Sequence, residues 1–331
     1  MNSPMMSPSN PPSSPMAPRM SQSITRKTTE MRPRHLSLLG AGGLVLLLLI
    51  AWREGLLHMI NVWRISPAYM HGFLVPIVSA GLIYDGWRKG EVFATWPLAL
   101  VGVGGASALY ALATITDIQL GQHIAIAGGI TSLLALVFGK TFAIRHRFAL
   151  AFLFCAVPVG EEITPFLQEI TAAAIIGTLH VLDITAIRQG LMIRTEPGDF
   201  LVAEACAGLR FLVGMVVSGI LFAHLLLRTR WKQLVLIAAC FIVPVIANLI
   251  RAVSVVLIGV TSDMSLATGF DHLVYGWGLF ALIFATLFIA ALKASETGAP
   301  VRSSPPMAQI EAPRPMIWLA AGGMIIVGGL F

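Results

Sequence analysis

Residues 233–250 read QLVLIAACFIVPVIANLI, and Arg251 follows at once. No charged side chain interrupts the run, and no polar face repeats along it, so a helix made from it has nothing to offer water. Its length approaches the ~20 residues that cross a bilayer's hydrocarbon core. Similar runs lie at 36–57, 72–87, 96–116, 121–139, 148–160, 207–227 and 273–292, eight with the first. The chain as a whole agrees: 331 residues are 56% apolar and 11% charged, with a mean hydropathy of +0.82. Alternation of polar and apolar residues is nearly absent, which argues against an outer-membrane barrel. The expected fold is all-α, a polytopic transmembrane helix bundle of about eight core helices. The run at 148–160 is short for a span and must tilt or borrow length.

Outside these runs the composition changes. The first 30 residues hold six Pro and seven Ser without apolar periodicity, so residues 1–35 are expected to form a disordered cytoplasmic tail before a membrane domain at 36–292. That tail, the length of the first run and the lack of a small-x-small exit favour an uncleaved helix over a signal peptide. Residues 293–315 are rich in Ser, Pro and Glu and read as a cytoplasmic linker. Residues 316–331 read as the start of a further, partial transmembrane helix, which is expected to lead to an outer-side domain beyond Phe331.

Charge placement sets the expected topology. The stretch 166–187 is apolar but contains Gln168, Glu169, His180 and Asp183. With the N-terminus inside and this stretch not crossing, sixteen of the 22 Lys and Arg lie on the inner side. Arg53, Arg64, Arg188, Arg194, Arg210 and Arg251 remain outside or at outer helix ends. A crossing at 166–187 inverts every later loop and exports the clusters Arg228–Lys232 and Lys293–Arg314, against the positive-inside bias. The stretch is therefore expected to form an outer-face interfacial or re-entrant helix. The net charge of +6 is read as topology rather than nucleic-acid binding, because the basic residues form no stripe interleaved with aromatics.

This topology gathers polar residues at one depth: Tyr69, His71, Glu161, Glu162, Glu204, Cys206, Arg210, Asn248, Arg251, Asp271 and His272. Ionisable groups at such depths are costly unless they pair or line a wet cavity, so their accumulation marks a candidate site. Cys206 sits in Glu204-Ala205-Cys206-Ala207-Gly208-Leu209-Arg210, at the outer start of a helix, where the dipole and nearby guanidinium groups favour the attacking thiolate. Cys155 and Cys240 lie mid-run and read as small buried hydrophobes. Arg251 follows Asn248 by three residues, which puts both on one helix face. It reads either as an anchor to lipid phosphates or as a group that holds a carboxylate or an oxyanion. His272, beside a cysteine and an arginine of the same depth, is the natural proton-transfer partner.

GxSxG, HExxH, Walker and GxGxxG motifs are absent, and His71, His180 and His272 are too dispersed to claim a metal. No cofactor is expected. Over residues 40–292 the chain resembles the exosortases, membrane-embedded cysteine transpeptidases of bacteria. The resemblance rests on Tyr69-Met70-His71-Gly72, the Glu204–Arg210 segment, Asn248-Leu249-Ile250-Arg251, and His272 with Gly276; where the family often has Ser after the cysteine, this chain has Ala207. It implies Cys206 as nucleophile, Arg251 as essential arginine and His272 as essential histidine. Tyr69, His71, Glu204, Arg210 and Asn248 become candidate substrate-binding residues. It further implies a bacterial inner-membrane location with the site facing the periplasm. The implied substrate is a secreted protein with a C-terminal sorting tail: a Pro-Glu-Pro motif, a transmembrane helix and a basic cluster. Transfer to an unidentified acceptor through a thioester, in a setting of exopolysaccharide production, completes the expectation. A transporter or a non-enzymatic component of polysaccharide export is the alternative.

Overall fold

The computed structural model describes residues 39–40, 42–87, 95–262 and 270–296. The expected tail at 1–35, most of the linker, and the partial helix at 316–331 lie outside them. Helices α1 (Gly42–Ala51) and α2 (Arg53–Ile65) meet at an 84° elbow. Trp52 occupies the elbow, fully buried, and its ring stacks on Tyr110 at 4.7 Å. The bend leaves helix-start amides without intrahelical acceptors, and the Gly55 N–H donates to the Tyr110 hydroxyl at 3.2 Å. A 3₁₀ turn at Met70–Phe73 leads into α3 (Leu74–Trp87), and α4 (Ala99–Ile115) pairs as a hairpin with α5 (Gln119–Arg145). α6 (Arg147–Phe152) passes through a 3₁₀ turn at Leu153–Ala156 and a second at Glu161–Ile163 into α7 (Thr164–Val181), with a bend of 58°.

Then come three short strands, β1 (Ala186–Gln189), β2 (Met192–Thr195) and β3 (Asp199–Leu201), in the order β1-β2-β3 with antiparallel pairing throughout. A 3₁₀ turn at Glu204–Cys206 precedes α8 (Leu209–Leu226), α9 (Arg230–Thr261) and α10 (Phe270–Lys293). The sheet refines the expected all-helical architecture. Gly190, at φ +61°, opens the two-residue turn between β1 and β2, a place where only glycine bends back without strain. Pro197 and Gly198 make the second turn, closed by the Thr195 and Gly198 amides donating to each other's carbonyls.

The described part of each of the eight apolar runs is mainly helical, yet three single helices among the described residues are long and apolar enough to span: α5, α8 and α9. Counting each bent pair as one span raises this to five, and Met70–Tyr84, Ala99–Ile115 and Gly278–Lys293 are shorter apolar helices. The run at 36–57 is divided by the Trp52 elbow, and the run at 148–160 is spent on α6 and a 3₁₀ turn. The chain is a multi-pass helical membrane protein. α9 illustrates how a spanning helix is sorted: Leu236, Cys240, Pro244, Asn248, Ala252 and Val256 are buried at four-residue spacing, while Leu234, Phe241, Ile242, Ile246 and Ile250 are left for lipid.

The position of α7 follows from α9. Nineteen residues separate Lys232 from Arg251, about 28 Å of helix rise and so close to the hydrocarbon thickness. The part of α9 that follows Arg251 supplies Ala252 and Val256 to a separate apolar cluster with Ala172, Ile175 and Leu179 of α7, Ile193 of β2 and Val202. α7 and the sheet thus pack on the last part of α9. Glu169 on α7 pairs with Arg188 on β1, which joins the two layers.

At the other end of α9, Glu296 fastens α10 to the α8–α9 turn. Its carboxylate accepts from the Arg228 and Thr229 amides at 2.8 and 2.9 Å and from the Lys232 ammonium. The lysine above all, then the amides, pull its pKa down from the usual carboxylate range to about 2. Its folded value lies below its unfolded one, so its contribution is fully present above the ordinary glutamate range and is lost as pH falls towards 2. Glu296→Gln is expected to lower the thermal midpoint of the detergent-solubilised protein at pH 7 and to leave a smaller difference from wild type near pH 3. A pH-independent difference contradicts this clamp.

Candidate functional site

Cys206 ends the 3₁₀ turn before α8, with its N–H donating to the Ala203 carbonyl at 2.8 Å. It is half-buried against the α7–sheet cluster. Two buried carboxamides hold the backbone on either side. Gln168 of α7 donates from Nε2 to the Val202 carbonyl at 2.8 Å, and Asn248 of α9 donates from Nδ2 to the Cys206 carbonyl at 2.7 Å. Gln168 and Asn248 are 8% and 5% exposed, so neither amide has water as a ready substitute. Between them they fix the turn against two helices from different parts of the chain.

Gly208 is what lets Asn248 come so close. Its φ is +78°, and a Cβ built there lies 2.5 Å from Asn248 Cγ. The left-handed residue turns the chain from the Cys206 turn into α8. On its other side Asn248 offers Oδ1 to Arg251 Nη1 at 3.5 Å, so one amide side chain joins the Cys206 backbone to the Arg251 guanidinium. Arg251 is itself buried, at 8% exposure. Asn248 and Arg251 form the polar end of an otherwise apolar cleft walled by Phe211, Met215, Pro244, Leu279, Phe280 and Ile283 from α8, α9 and α10.

The other expected residues are placed differently. His272 lies in the first turn of α10, and its side chain, with that of Asp271, is outside the described residues. Glu204, the first residue of the Cys206 turn, is exposed. Arg210 stands over the Phe211 ring at 5.8 Å. Tyr69 and His71 hold a neighbouring loop: the Tyr69 hydroxyl donates to the Val159 carbonyl at 3.1 Å, and a His71 ring nitrogen lies 3.2 Å from the Cys155 carbonyl. Burial of Tyr69, then the negative charges of Glu161 and Glu162, push its hydroxyl well above the usual tyrosine range, so it stays a donor. A Cβ built on Gly160 of that loop would lie 3.5 Å from Leu209, so the loop that Tyr69 and His71 hold runs beside the start of α8.

Gln168 and Gly208 are the positions that sequence reasoning passed over as functional. Gln168 read as an interruption in an apolar run; a lone amide on an apolar helix face, bound to be satisfied when buried, is the signal that marked it. Among the described residues no group of three or more His, Cys, Asp or Glu could hold a metal ion.

A membrane bundle that holds a cysteine turn against an asparagine and an arginine three residues apart on α9 defines a class of integral membrane protein with a polar cluster among its helices. Residues 63–289 match the family described as transmembrane exosortase, and the chain belongs to that family. No curated protein and no solved structure matches it. Family membership supports a membrane-bound transpeptidase role in protein sorting.

Proposed function

We propose that this exosortase is a cysteine transpeptidase or peptidase of the bacterial inner membrane, with its site facing the periplasm. Its substrate is a secreted protein carrying a C-terminal sorting tail of the Pro-Glu-Pro type, in a setting of exopolysaccharide production. The observation that supports this reading most is the bridge Cys206–Asn248–Arg251, which ties the cysteine turn to a buried cation. Cys206 gives up its proton to His272 and its sulfur attacks a backbone carbonyl near the tail motif. Arg251 stabilises the oxyanion of the tetrahedral intermediate or holds the substrate. As the carbon–nitrogen bond breaks, His272 returns the proton to the leaving amine, and the tail departs with a new N-terminus. The thioester left on Cys206 is then resolved by an acceptor nucleophile or by water, which frees the thiol.

A tail-bearing reporter co-expressed with the full chain tests this reading. The reporter is expected to be shortened by the wild-type protein. Arg251→Lys is expected to lose nearly as much processing as Arg251→Ala, on the order of 100-fold, because an ammonium cannot reproduce the planar fork. A reporter of unchanged length in the presence of the wild-type chain favours a transport or assembly role instead.

A further inference from the structure

The strand that leads to Cys206 has an open edge. In the β2–β3 pairing, Thr195 and Gly198 exchange hydrogen bonds and the Val202 amide donates to the Leu191 carbonyl. The register alternates, so Ile193 and Phe200 form the hydrogen-bonded pair between them, while Arg194–Asp199 and Met192–Leu201 do not. The amide and carbonyl of Asp199 and the amide of Leu201 therefore point away from the sheet. The Leu201 carbonyl is occupied by the Ala203 amide at 2.9 Å, the bend that carries the chain off the strand. The opposite edge differs: on β1 the outward Ala186 carbonyl meets the His180 ring of α7 at 3.3 Å. Among the described residues, one edge is guarded and the other is free.

The free edge is also the one beside the site. From Leu201 to Cys206 the chain advances five residues, at most about 17 Å if fully extended. The bend at Ala203 and the 3₁₀ turn at Cys206 shorten it. The Gln168 and Asn248 carboxamides bracket this connection, so the edge and the thiol are held in a fixed relation. The Leu201 side chain is 59% exposed, and nothing described lies over it.

We propose that the outer edge of β3 is the rail on which the substrate docks: an extended peptide segment adds as a fourth strand alongside Asp199–Leu201 and so delivers its next few residues to Cys206. Added strands gain affinity from main-chain hydrogen bonds and leave alternate side chains facing opposite ways. The rail therefore recognises an extended backbone, and a helical segment finds no partner there. This inference rests on the proposed function, because it takes Cys206 as the attacking group.

The test is disulfide mapping in the full-length protein. Leu201→Cys is combined with Cys206→Ala, and single cysteines are placed one by one along the reporter segment next to its tail motif. Under mild oxidation, cross-links are expected at one reporter position and, more weakly, at the positions two residues to either side, because a disulfide needs Cα atoms within about 7 Å. Cross-links at a three- to four-residue period, at all positions alike, or at none overturn the rail. A second variant needs no cross-link. Leu201→Pro removes the outward amide and leaves the β2 ladder intact, since proline is tolerated on an edge whose N–H faces away. It is expected to cut reporter processing at least about 10-fold, with Leu201→Thr near wild type. Wild-type processing by Leu201→Pro overturns the rail even where Cys206→Ala is inactive. Processing by Cys206→Ala sinks the enzyme reading itself, whatever the cross-links show.

Discussion

Cys206→Ala is expected to abolish shortening of a tail-bearing reporter, a loss of at least about 1,000-fold, or about 4 kcal/mol of transition-state stabilisation. The protein should nevertheless fold. Cys206 is only half-buried, its fixed contacts run through its backbone amide and carbonyl, and alanine keeps both. The thermal midpoint should therefore correspond to a change within about 1 kcal/mol. Cys155 and Cys240 serve as internal controls. Cys240 packs where a Cβ on Gly219 would lie 2.7 Å from its sulfur, so it fills a helix–helix contact, and Cys240→Ala should retain processing. Loss of processing in all three alanine variants, or in none, contradicts the assignment of the chemistry to one thiol.

Gly208→Ala is expected to be the most damaging change that removes no functional group. Alanine at φ +78° bears about 1–2 kcal/mol of left-handed strain. The new methyl also collides with Asn248, and the amide must abandon the Cys206 carbonyl, a buried bond worth about 1–1.5 kcal/mol. The sum is roughly 3 kcal/mol of destabilisation together with loss of the contact that joins the Cys206 turn to Arg251. Processing should fall by at least about 100-fold, because a displacement near 1 Å at a nucleophile has that effect. A double-mutant cycle with Asn248→Ala separates the causes. Both changes remove the same bond, so the pair should destabilise by less than the two single variants added together. Simple additivity in unfolding measurements contradicts the proposed clash.

The apolar runs made the membrane bundle legible, because a run such as 233–250 has one solvent it can face. Runs do not tell where a helix breaks. Trp52 looks like any other bulky apolar residue in 36–57, and the partner that holds the 84° elbow, Tyr110, lies more than fifty residues away. The sheet was visible in principle: Gly190 and Pro197-Gly198 are turn signals that flank the short apolar segment Leu191-Met192-Ile193. Its strands are only three or four residues long and carry Arg188 and Arg194, so no alternating pattern stands out after the apolar stretch 166–187. The pairing of Asn248 with Arg251 was legible from their spacing of three. Their link to Cys206 was not, since it passes through a backbone carbonyl, which no side-chain pattern encodes. Tyr69 and His71 shared the expected depth with Cys206, but depth does not fix azimuth, and their hydrogen bonds go to the 155–159 turn.

In the proposed reaction a carbonyl carbon of the substrate becomes bonded to the sulfur of Cys206. Rapid acid quench of the full-length protein turning over a tail-bearing reporter, followed by mass spectrometry of the Cys206 peptide, tests it most directly. An adduct is expected on Cys206 that carries the reporter's new C-terminus, is released by hydroxylamine, and is absent in Cys206→Ala. Efficient shortening of the reporter with Cys206 unmodified at every time point, or an adduct on another residue, contradicts it.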